Sequence, residues 1–353
     1  MLEKIKEESL WDFLSRTDKP IILYGMGNGA DMIIDALESY SIGFTDIFAS
    51  DNFVRGHSFH GVRVKKFSEI KELYDDFIIL VTFAVHDKNT MDYIRQLSRE
   101  YTLFSPTVPV ADKGLFTLDY IREHEKEFDE AYEMLADEKS KSDFIDILNF
   151  KVSGKIEYLF HCQSDKEELY HTVFPLTESE TIVDLGAYDG DTIREFLSQT
   201  GGKYEKIYAF EPDPKNFIKL KNKTQGLDNI ELFNIGAWDK KETLFFEKKA
   251  GRNSRRGESG TAQEFDAVDN VINEKVTFIK MDIEGSESRA LDGARELIGK
   301  YKPKLYVCAY HRKEDMFRLP LKIKALCHDY KIYFRHHPYI PAWESNFYAV
   351  AEK

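Results

Sequence analysis

The chain has 353 residues, of which 42% are hydrophobic and 31% charged, with a formal net charge of −13. A single hydrophobic core rarely grows to this length, so we expect two domains. The composition is that of a globular protein and excludes a disordered or fibrous one. The negative charge disfavours a broad surface for nucleic acid, because such a surface would repel phosphates.

Targeting and redox signals favour the cytoplasm. No apolar run approaches the ~20 residues that cross a bilayer. The first residues, MLEKIKEESLWDF, lack the apolar stretch of a signal peptide. The cysteines lie far apart without metal-ligand spacing, which fits a reducing compartment. We therefore expect a cytoplasmic protein without a membrane span.

Residues 1–112 alternate between predicted strands and predicted helices, which indicates βαβ units on a parallel sheet. The predicted strands cover residues 21–24, 44–49, 77–83 and 103–106. A glycine cluster after the first strand has the form G-x-G-x-x-A, and Asp51 follows the second strand. This pattern is typical of dinucleotide-binding loops. Gly25, Gly27 and Asp51 are the candidate nucleotide contacts, although a scaffold that only docks on a catalytic domain is equally compatible.

Residues 113–176 are dominated by charged side chains, with aromatic and aliphatic residues at roughly helical intervals. This pattern predicts a helical connector with a solvated charged face.

Residues 177–353 predict a second and larger α/β domain. Its predicted strands cover residues 181–186, 206–211, 230–235, 276–283, 304–309, 331–335 and 347–351. Helical stretches separate most of them, but a short loop joins the last two, which we expect to be antiparallel neighbours. The segment 236–275 gives no clear pattern.

A strand, a turn and the start of a helix are predicted for TIVDLGAYDGDT, which begins at Thr181. Gly186 and Gly190 allow the backbone to approach a ligand closely, and the helix start offers free N–H groups. Three acids crowd the turn: Asp184, Asp189 and Asp191. They would repel a diphosphate and suit a cationic ligand that carries an amino acid. A plain strand–helix turn is the alternative interpretation.

The next two predicted strands end in groups that suit a nucleoside. Glu211, in the run AFEP, could accept hydrogen bonds from both ribose hydroxyls. Trp238, in NIGAWD, could stack on adenine or belong to the core.

Several ordered motifs resemble those of the FkbM family of methyltransferases. They are VDLGAYDGDT from Val183, AFEPDP from Ala209, IGAWD from Ile235, FIKMDIEGSE from Phe278 and CAYHRKED from Cys308. The ending RHHPYIPAWESNFYAV, from Arg335, is similar to a branch of that family with a longer N-terminal part. The resemblance covers the chain from about Ser140 to the C-terminus.

The resemblance implies an α/β fold: a class I methyltransferase doubly wound sheet with a C-terminal antiparallel hairpin, after a smaller Rossmann-like domain and a helical connector. It implies an S-adenosylmethionine-dependent O-methyltransferase acting on a hydroxyl of a sugar, glycan or related metabolite, and hence a role in glycan modification or polysaccharide biosynthesis. The expected cofactor contacts are Asp184, Gly186, Ala187, Tyr188, Gly190, Asp191, Glu211, Pro212, Ala237, Trp238 and Asp282. The family often has a small polar residue at the position of Tyr188, so this side chain must point away from the cofactor or cover it.

Methylation of an alcohol requires a base that removes the proton during attack. His311, just after the fifth strand, is the first candidate, and Glu284 could orient it or act as the base itself. Asp282, Glu284 and His311 could instead bind a metal ion. Since nothing nearby clearly completes a ligand set, we expect metal-independent catalysis. A purely structural role for His311 is the alternative.

Two basic groups are candidates for substrate contacts. Arg335, His336 and His337 could line the acceptor pocket and bind an anionic part of the substrate, such as a sugar phosphate or an acidic sugar. Ordinary polar loop residues are the alternative interpretation. Arg252, Arg255 and Arg256 lie among glycines and predict either a substrate lid or a solvated hairpin tip.

Other functions fit the sequence less well. A nicotinamide-dependent oxidoreductase would need a Tyr-x-x-x-Lys or similar set near the first sheet, and the first hundred residues lack one. The fourth strand ends in Asp-Ile-Glu-Gly and lacks the motif with which enzymes methylate amines of nucleic acid. A nucleotide-sugar-binding module or sensor with an inactive methyltransferase domain stays as the alternative. The oligomeric state and the acceptor are left open.

Overall fold

A computed structural model describes residues 1–111, 114–248, 254–257 and 261–351, and the side-chain surroundings of residues 246–248 and 254–257 are not part of this description. The chain forms two compact units. The first unit comprises Met1–Asp129, Lys141–Gln163 and His336–Ser345. The second unit comprises Glu130–Ser140, Ser164–Arg335 and Asn346–Lys353. The predicted domain limits at residues 112–113, which lie outside the described residues, and at 176–177 stay predictions.

The first unit contains a four-stranded sheet in the order β2-β1-β5-β6. Its parallel strands are β1 (Ile21–Tyr24), β2 (Asp46–Phe48), β5 (Ile78–Val81) and β6 (Thr102–Phe104). A short hairpin, β3 (Ser58–Phe59) with β4 (Val62–Arg63), lies between them in sequence. Strands β1 and β5 are buried along their whole length, as expected for the centre of a sheet covered on both faces. The predicted parallel sheet is confirmed.

The helices follow amphipathic stretches of the sequence. They are α1 (Leu10–Ser15), α2 (Asn28–Ser39), α3 (Phe67–Leu73), α4 (Lys88–Glu100), α5 (Leu118–Glu123), α6 (Glu125–Glu133), α7 (Glu138–Ser153), α8 (Glu157–His161), α9 (Lys166–His171), α10 (Asp191–Gln199), α11 (Pro214–Lys223), α12 (Val268–Val271), α13 (Glu287–Gly293), α14 (Arg295–Tyr301) and α15 (Asp315–Leu326). Helices α5 to α9 confirm that the predicted connector is helical. No helix in the described ranges has the length and apolar character that crossing a membrane requires.

The second unit is built on a seven-stranded sheet in the order β16-β17-β15-β14-β7-β8-β9. The strands are β7 (Thr181–Leu185), β8 (Lys206–Phe210), β9 (Ile230–Phe233), β14 (Phe278–Met281), β15 (Lys304–Cys308), β16 (Tyr330–His336) and β17 (Ser345–Ala351). Strands β9, β8, β7, β14 and β15 are parallel, and β17 runs antiparallel to β15. The predicted class I methyltransferase arrangement is confirmed.

The segment that gave no clear pattern forms a second sheet of four strands in the order β10-β13-β11-β12. Its strands are β10 (Gly236–Trp238), β11 (Glu242–Lys248), β12 (Ser254–Gly257) and β13 (Thr261–Ala267). Arg252 lies outside the described residues. Arg255 and Arg256 belong to β12, which pairs antiparallel with β11. The lid proposed for these arginines stays a prediction.

Aromatic and aliphatic side chains fill the core of the second unit. Phe174 packs edge-on against Phe278 of β14 and Tyr348 of β17, and Ile182 and Ile207 extend the same cluster. Each of these side chains is at most 3% exposed. This core fixes the parallel strands side by side, so that their carboxyl ends meet at one edge.

A buried ion pair links Arg335 of β16 to Asp137, which directly precedes α7. The guanidinium of Arg335 donates two hydrogen bonds to Asp137, at 2.6 and 3.2 Å, and a third to Ser140 at 2.7 Å. Arg335 is 5% exposed. Its charge is therefore engaged inside the second unit, which favours a structural role.

Replacing Arg335 by methionine should lower the free energy of unfolding by about 3 kcal/mol, because the partner carboxylate loses its charge-assisted hydrogen bonds in a mostly buried place. The double variant Arg335→Met/Asp137→Asn should recover part of that loss. Urea denaturation measures both. The control is Arg122→Met, which breaks an exposed pair with Asp119 and should stay within about 0.5 kcal/mol of the parent. Equal losses for both arginine variants would contradict a structural role for Arg335.

Candidate active site

The loop between β7 and α10 passes very close to the end of β14. Gly186 and Gly190 have φ angles of 81° and 84°, in the left-handed region that favours glycine. A Cβ on Gly186 would lie 1.9 Å from the carbonyl oxygen of Asp282. The N–H groups of Gly186 and Ala187 donate to the carbonyl of Phe210, at 3.0 and 2.9 Å. The loop is therefore fixed between the ends of β14 and β8.

Asp184 is a buried carboxylate beneath this loop. In the register of β7 and β14 it lies opposite Lys280, whose Nζ is 3.3 Å from Oδ1 of Asp184 and donates to the carbonyl of Gly186 at 3.3 Å. Burial lowers the pKa of Lys280, but the charges of Asp184 and Asp282 outweigh burial and raise it. Lys280 is therefore a cation here. No aligned hydrogen bond reaches either carboxylate oxygen of Asp184 from the described residues, so both can accept one from a ligand.

Glu211 follows β8 and connects that strand end to the loop. Its two carboxylate oxygens accept the N–H groups of Tyr188 at 3.0 Å and Asp213 at 2.8 Å. A carboxylate offers about four acceptor positions, so two are left for hydroxyl groups of a ligand. Burial raises the pKa of Glu211 to about 7, against the lowering effect of the two N–H donors. Asn234 donates to the backbone carbonyls of Glu211 and Pro212, at 2.8 and 3.2 Å.

The remaining loop residues divide between core and surface. Ala187 is fully buried in the core of the second unit, and Asp191 begins α10 with its carboxylate on the N–H of Thr192. Tyr188 has a φ of 46° and is 44% exposed, with the ammonium of Lys219 lying 5.2 Å from its ring centre. A bulky residue is tolerated at this position because its ring lies at the surface.

Ala237 and Trp238 lie on β10 of the second sheet and are buried. Trp238 packs with Leu244 and Phe265, and the guanidinium of Arg289 lies 4.8 Å from its ring centre. The indole N–H donates to Glu242 at 3.2 Å. This packing favours the alternative in which Trp238 is a core residue, and its contact with adenine stays a prediction.

The three predicted catalytic residues come together at the ends of β14 and β15. Nε2 of His311 lies 3.4 Å from Oδ1 of Asp282 and 3.9 Å from Oε2 of Glu284. His311 is 2% exposed, whereas the side chains of Asp282 and Glu284 are 31% and 79% exposed. The carboxylates therefore face solvent while the imidazole lies behind them.

Glu287, which the sequence analysis did not single out, approaches the other ring nitrogen. Its Oε1 lies 2.9 Å from Nδ1 of His311 and accepts the N–H groups of Ile283 and Gly285. Glu287 opens α13 and is fully buried. It thus takes the place next to His311 that the sequence analysis had suggested for Glu284. The available signal was its position within the FIKMDIEGSE motif.

Carboxylates dominate the electrostatics of this group. Desolvation lowers the pKa of His311, but Glu287, Asp282 and Glu284 outweigh it and raise the pKa to about 10. Desolvation raises the pKa of Asp282, but Lys280, His311 and a hydrogen bond from Tyr310 outweigh it and lower the pKa. His311 is therefore an imidazolium at neutral pH unless another cation replaces its proton. In neither case does it have a nitrogen lone pair with which to act as a general base.

Comparisons with known proteins bear on the family and the fold of the chain. Residues 184–340 match the model of the methyltransferase FkbM domain. This segment, a little under half of the chain, is thus similar to FkbM methyltransferase domains. It is 23% identical to the 2-O-methyltransferase NoeI of Sinorhizobium fredii, in an alignment that covers 41% of this chain and 68% of that protein.

A solved structure shares the fold over nearly the whole chain. The crystal structure of methyltransferase FkbM from Methylobacillus flagellatus superposes with a TM-score of 0.75 at 23% sequence identity. The match covers 96% of this chain and 92% of that one. At this identity, the match shows the fold alone. The shared fold therefore extends well beyond the FkbM domain.

The three predicted acceptor contacts are buried, with at most 5% of each residue exposed. Arg335 of the second unit is engaged by Asp137, as described above. In the first unit, His336 and His337 are at most 2% exposed. Nδ1 of His336 lies 3.1 Å from the hydroxyl of Ser345, and the backbone N–H of His337 donates to the carbonyl of Glu344. Their binding of the acceptor stays a prediction.

The N-terminal nucleotide candidates surround the end of β1 in the first unit. Gly25 and Gly27 have φ angles of 111° and 102°, and Gly27 precedes the first turn of α2. The side chain of Asp51 is 71% exposed and lies 3.8 Å from Lys66. The predicted glycine turn before the helix is present, and a bound nucleotide stays a prediction.

In the FkbM domain, Gly186→Ala should lower the free energy of unfolding by about 3 kcal/mol or more. The added Cβ would strain the backbone and collide with the carbonyl of Asp282. The matched control is Gly202→Ala, since Gly202 has a φ of 79° and open space around it. The control should lose only the strain energy of about 1 to 2 kcal/mol. Chemical denaturation measures both, and equal losses would refute the close approach of the loop to β14.

Proposed function

We propose that the chain is an S-adenosylmethionine-dependent O-methyltransferase that acts on a hydroxyl of a sugar, glycan or related metabolite. The observation that carries the proposal is the buried Asp184, with no aligned hydrogen bond to either carboxylate oxygen, next to Glu211, which has acceptor positions to spare. Both lie at carboxyl ends of adjacent parallel strands, the edge where open α/β sheets bind ligands.

The residues at this edge fit the chemistry of S-adenosylmethionine. Asp184 could accept from its ammonium group, directly or through a water, and Glu211 from its ribose hydroxyls. The acids around the loop favour a cationic ligand over a diphosphate. When bound, S-adenosylmethionine would supply a sulfonium methyl group: the O–C bond to the acceptor would form as the C–S bond breaks, and the neutral thioether would be the leaving group.

On the acceptor side, we propose that Glu284 is the base that removes the proton of the hydroxyl. An alcohol becomes a good nucleophile when a base takes its proton during attack. His311 cannot do so as an imidazolium, and Glu287 is buried against it. Glu284 lies 3.9 Å from Nε2 of His311 and its side chain is exposed, so it can meet an acceptor. Asp282 and His311 would set the electrostatic environment of the hydroxyl.

Transfer to oxygen is supported by the relative NoeI, which is named a 2-O-methyltransferase, and a sugar or glycan acceptor by the resemblance to the FkbM family. A cytoplasmic location is part of the proposal. It is in keeping with three buried cysteines that form no disulfide among the described residues.

Calorimetry on the full chain should detect one S-adenosylmethionine per chain, with Glu211→Gln weakening the affinity by about 10- to 100-fold because charge-assisted hydrogen bonds are lost. The double variant Asp184→Asn/Lys280→Met, which removes both buried charges together, should weaken it similarly. The control is Asp189→Asn in the same loop, because its carboxylate is engaged by Arg194 and Lys223. A folded parent that does not bind would overturn the proposal and leave the inactive, nucleotide-sugar-binding alternative.

Methyl transfer to a panel of sugars, nucleotide sugars and glycans, followed by mass spectrometry, tests the acceptor assignment. Glu284→Gln should lower kcat by about 10²- to 10⁴-fold and leave S-adenosylmethionine affinity unchanged, because the side chain lies outside the cofactor loop. Glu314→Gln, an acid after β15 that approaches Arg318, is the control and should keep its activity. A product methylated on nitrogen, or full activity of Glu284→Gln, would contradict the assignment.

A further inference from the structure

Two carboxylates and one imidazole converge behind the acceptor side of the site. Asp282, Glu287 and His311 each offer one possible ligand atom, and these atoms all lie within 4.8 Å of one another. Within the described ranges, this is the one set of three such side chains close enough to hold a metal ion. Nδ1 of His311 lies 2.9 Å from Oε1 of Glu287, and Nε2, on the other side of the ring, lies 3.4 Å from Oδ1 of Asp282. Ligand atoms at about 2.1 Å from one ion stand roughly 3 to 3.5 Å apart, so each ring nitrogen has one carboxylate at this spacing.

Two of the three groups carry buried polar atoms without an aligned hydrogen bond. Glu287 is 0% exposed, yet its Oε2 has no hydrogen-bond partner among the described residues. Nδ1 of His311 is near Oε1 of Glu287 but is not aligned to donate to it. Buried polar atoms cost free energy unless they are paired. The unpaired Oε2 of Glu287 therefore indicates a positively charged ligand, and it does so independently of the clustering of acids.

The surrounding charges favour a cation over an anion. Glu284 adds a third carboxylate, 3.9 Å from the imidazole, and Asp315 lies buried nearby with its Oδ2 on the N–H of Arg312. The neighbouring ammonium of Lys280 is paired with Asp184. Three carboxylates thus lie within 3.9 Å of the imidazole of His311.

We propose that Asp282, Glu287 and His311 form a binding site for one divalent cation. Two carboxylates with an imidazole suit Mn²⁺, Zn²⁺ or Fe²⁺ better than Ca²⁺, which prefers ligand sets made only of oxygen. Asp282 is partly exposed, so the cation has an open side on which a hydroxyl could bind and become more acidic. This last role rests on the proposed function, whereas cation binding does not. Glu284 is not one of the proposed metal ligands, so its carboxylate is available to accept the proton of the acceptor hydroxyl.

The test is titration of EDTA-stripped full-length protein with Mn²⁺ and with Zn²⁺, followed by calorimetry, without S-adenosylmethionine or acceptor. We expect one strong site per chain. Asp282→Asn and the isosteric Glu287→Gln should each weaken it by about tenfold or more. Glu284→Gln and Glu296→Gln, an exposed acid on α14, should retain it. Circular dichroism and thermal melting identify any variant that fails to fold, and such a variant is replaced by His311→Gln.

A folded parent that binds no divalent cation at one site per chain would overturn the proposal, and so would undiminished binding by both Asp282→Asn and Glu287→Gln. In that case the group is an imidazolium held between carboxylates. The two proposals fail separately. Cation binding without S-adenosylmethionine binding refutes only the methyltransferase assignment, and methyl transfer unaffected by EDTA in a protein without a cation site refutes only this one.

Discussion

The parallel pairing of β7 with β14 determines the geometry of the candidate site. In this register Asp184 lies directly opposite Lys280, and the two buried side chains form an ion pair at 3.3 Å. The ammonium also binds the carbonyl of Gly186, which holds the loop against the end of β14. A slip of β14 by one residue would turn Lys280 to the other face of the sheet, and each charge would be buried without its partner. The proposed cofactor loop and the acceptor side are therefore both positioned by the end of β14.

The distribution of charge separates the two halves of the site. On the cofactor side proposed above, Asp184 is paired with the buried Lys280, and burial raises the pKa of Glu211 to about 7. On the acceptor side, carboxylates surround His311 and keep a positive charge at that position. Both halves favour positive or hydroxyl-bearing ligands over phosphates. This agrees with a sulfonium donor and an alcohol acceptor.

The family match and the structural match cover different parts of the chain. The family model covers the segment that contains all of the proposed cofactor and catalytic residues. The likeness of fold to the Methylobacillus flagellatus protein also includes the N-terminal unit. In that unit, the glycine turn before α2 has the backbone angles that its sequence pattern predicts. The N-terminal unit therefore belongs to the shared fold. The prediction that it binds a nucleotide is independent of the proposed methyl transfer.

The sequence by itself determined the order of the elements and the edge of the sheet that carries the site. Apolar runs separated by helical periods predicted the parallel strands correctly, since strand burial leaves a local pattern. The ends of those runs identified Asp184, Glu211, Asp282 and His311, because parallel strands bring their carboxyl ends to one edge. The segment 236–275 gave no clear pattern, since β13 leaves most of its side chains exposed or half-buried and so lacks the apolar run that predicts a strand.

Only the tertiary structure decided which side chains are partners. Lys280 lies in an otherwise apolar strand, and the pairing with β7 places it opposite Asp184. Glu287, and not Glu284, approaches the inner nitrogen of His311, because the turn after β14 carries residue 284 outward and returns residue 287 to the core. Arg335 proved to be bound by Asp137, nearly two hundred residues earlier in the chain. Such pairings depend on contacts between distant segments, and no local pattern of residue types encodes them.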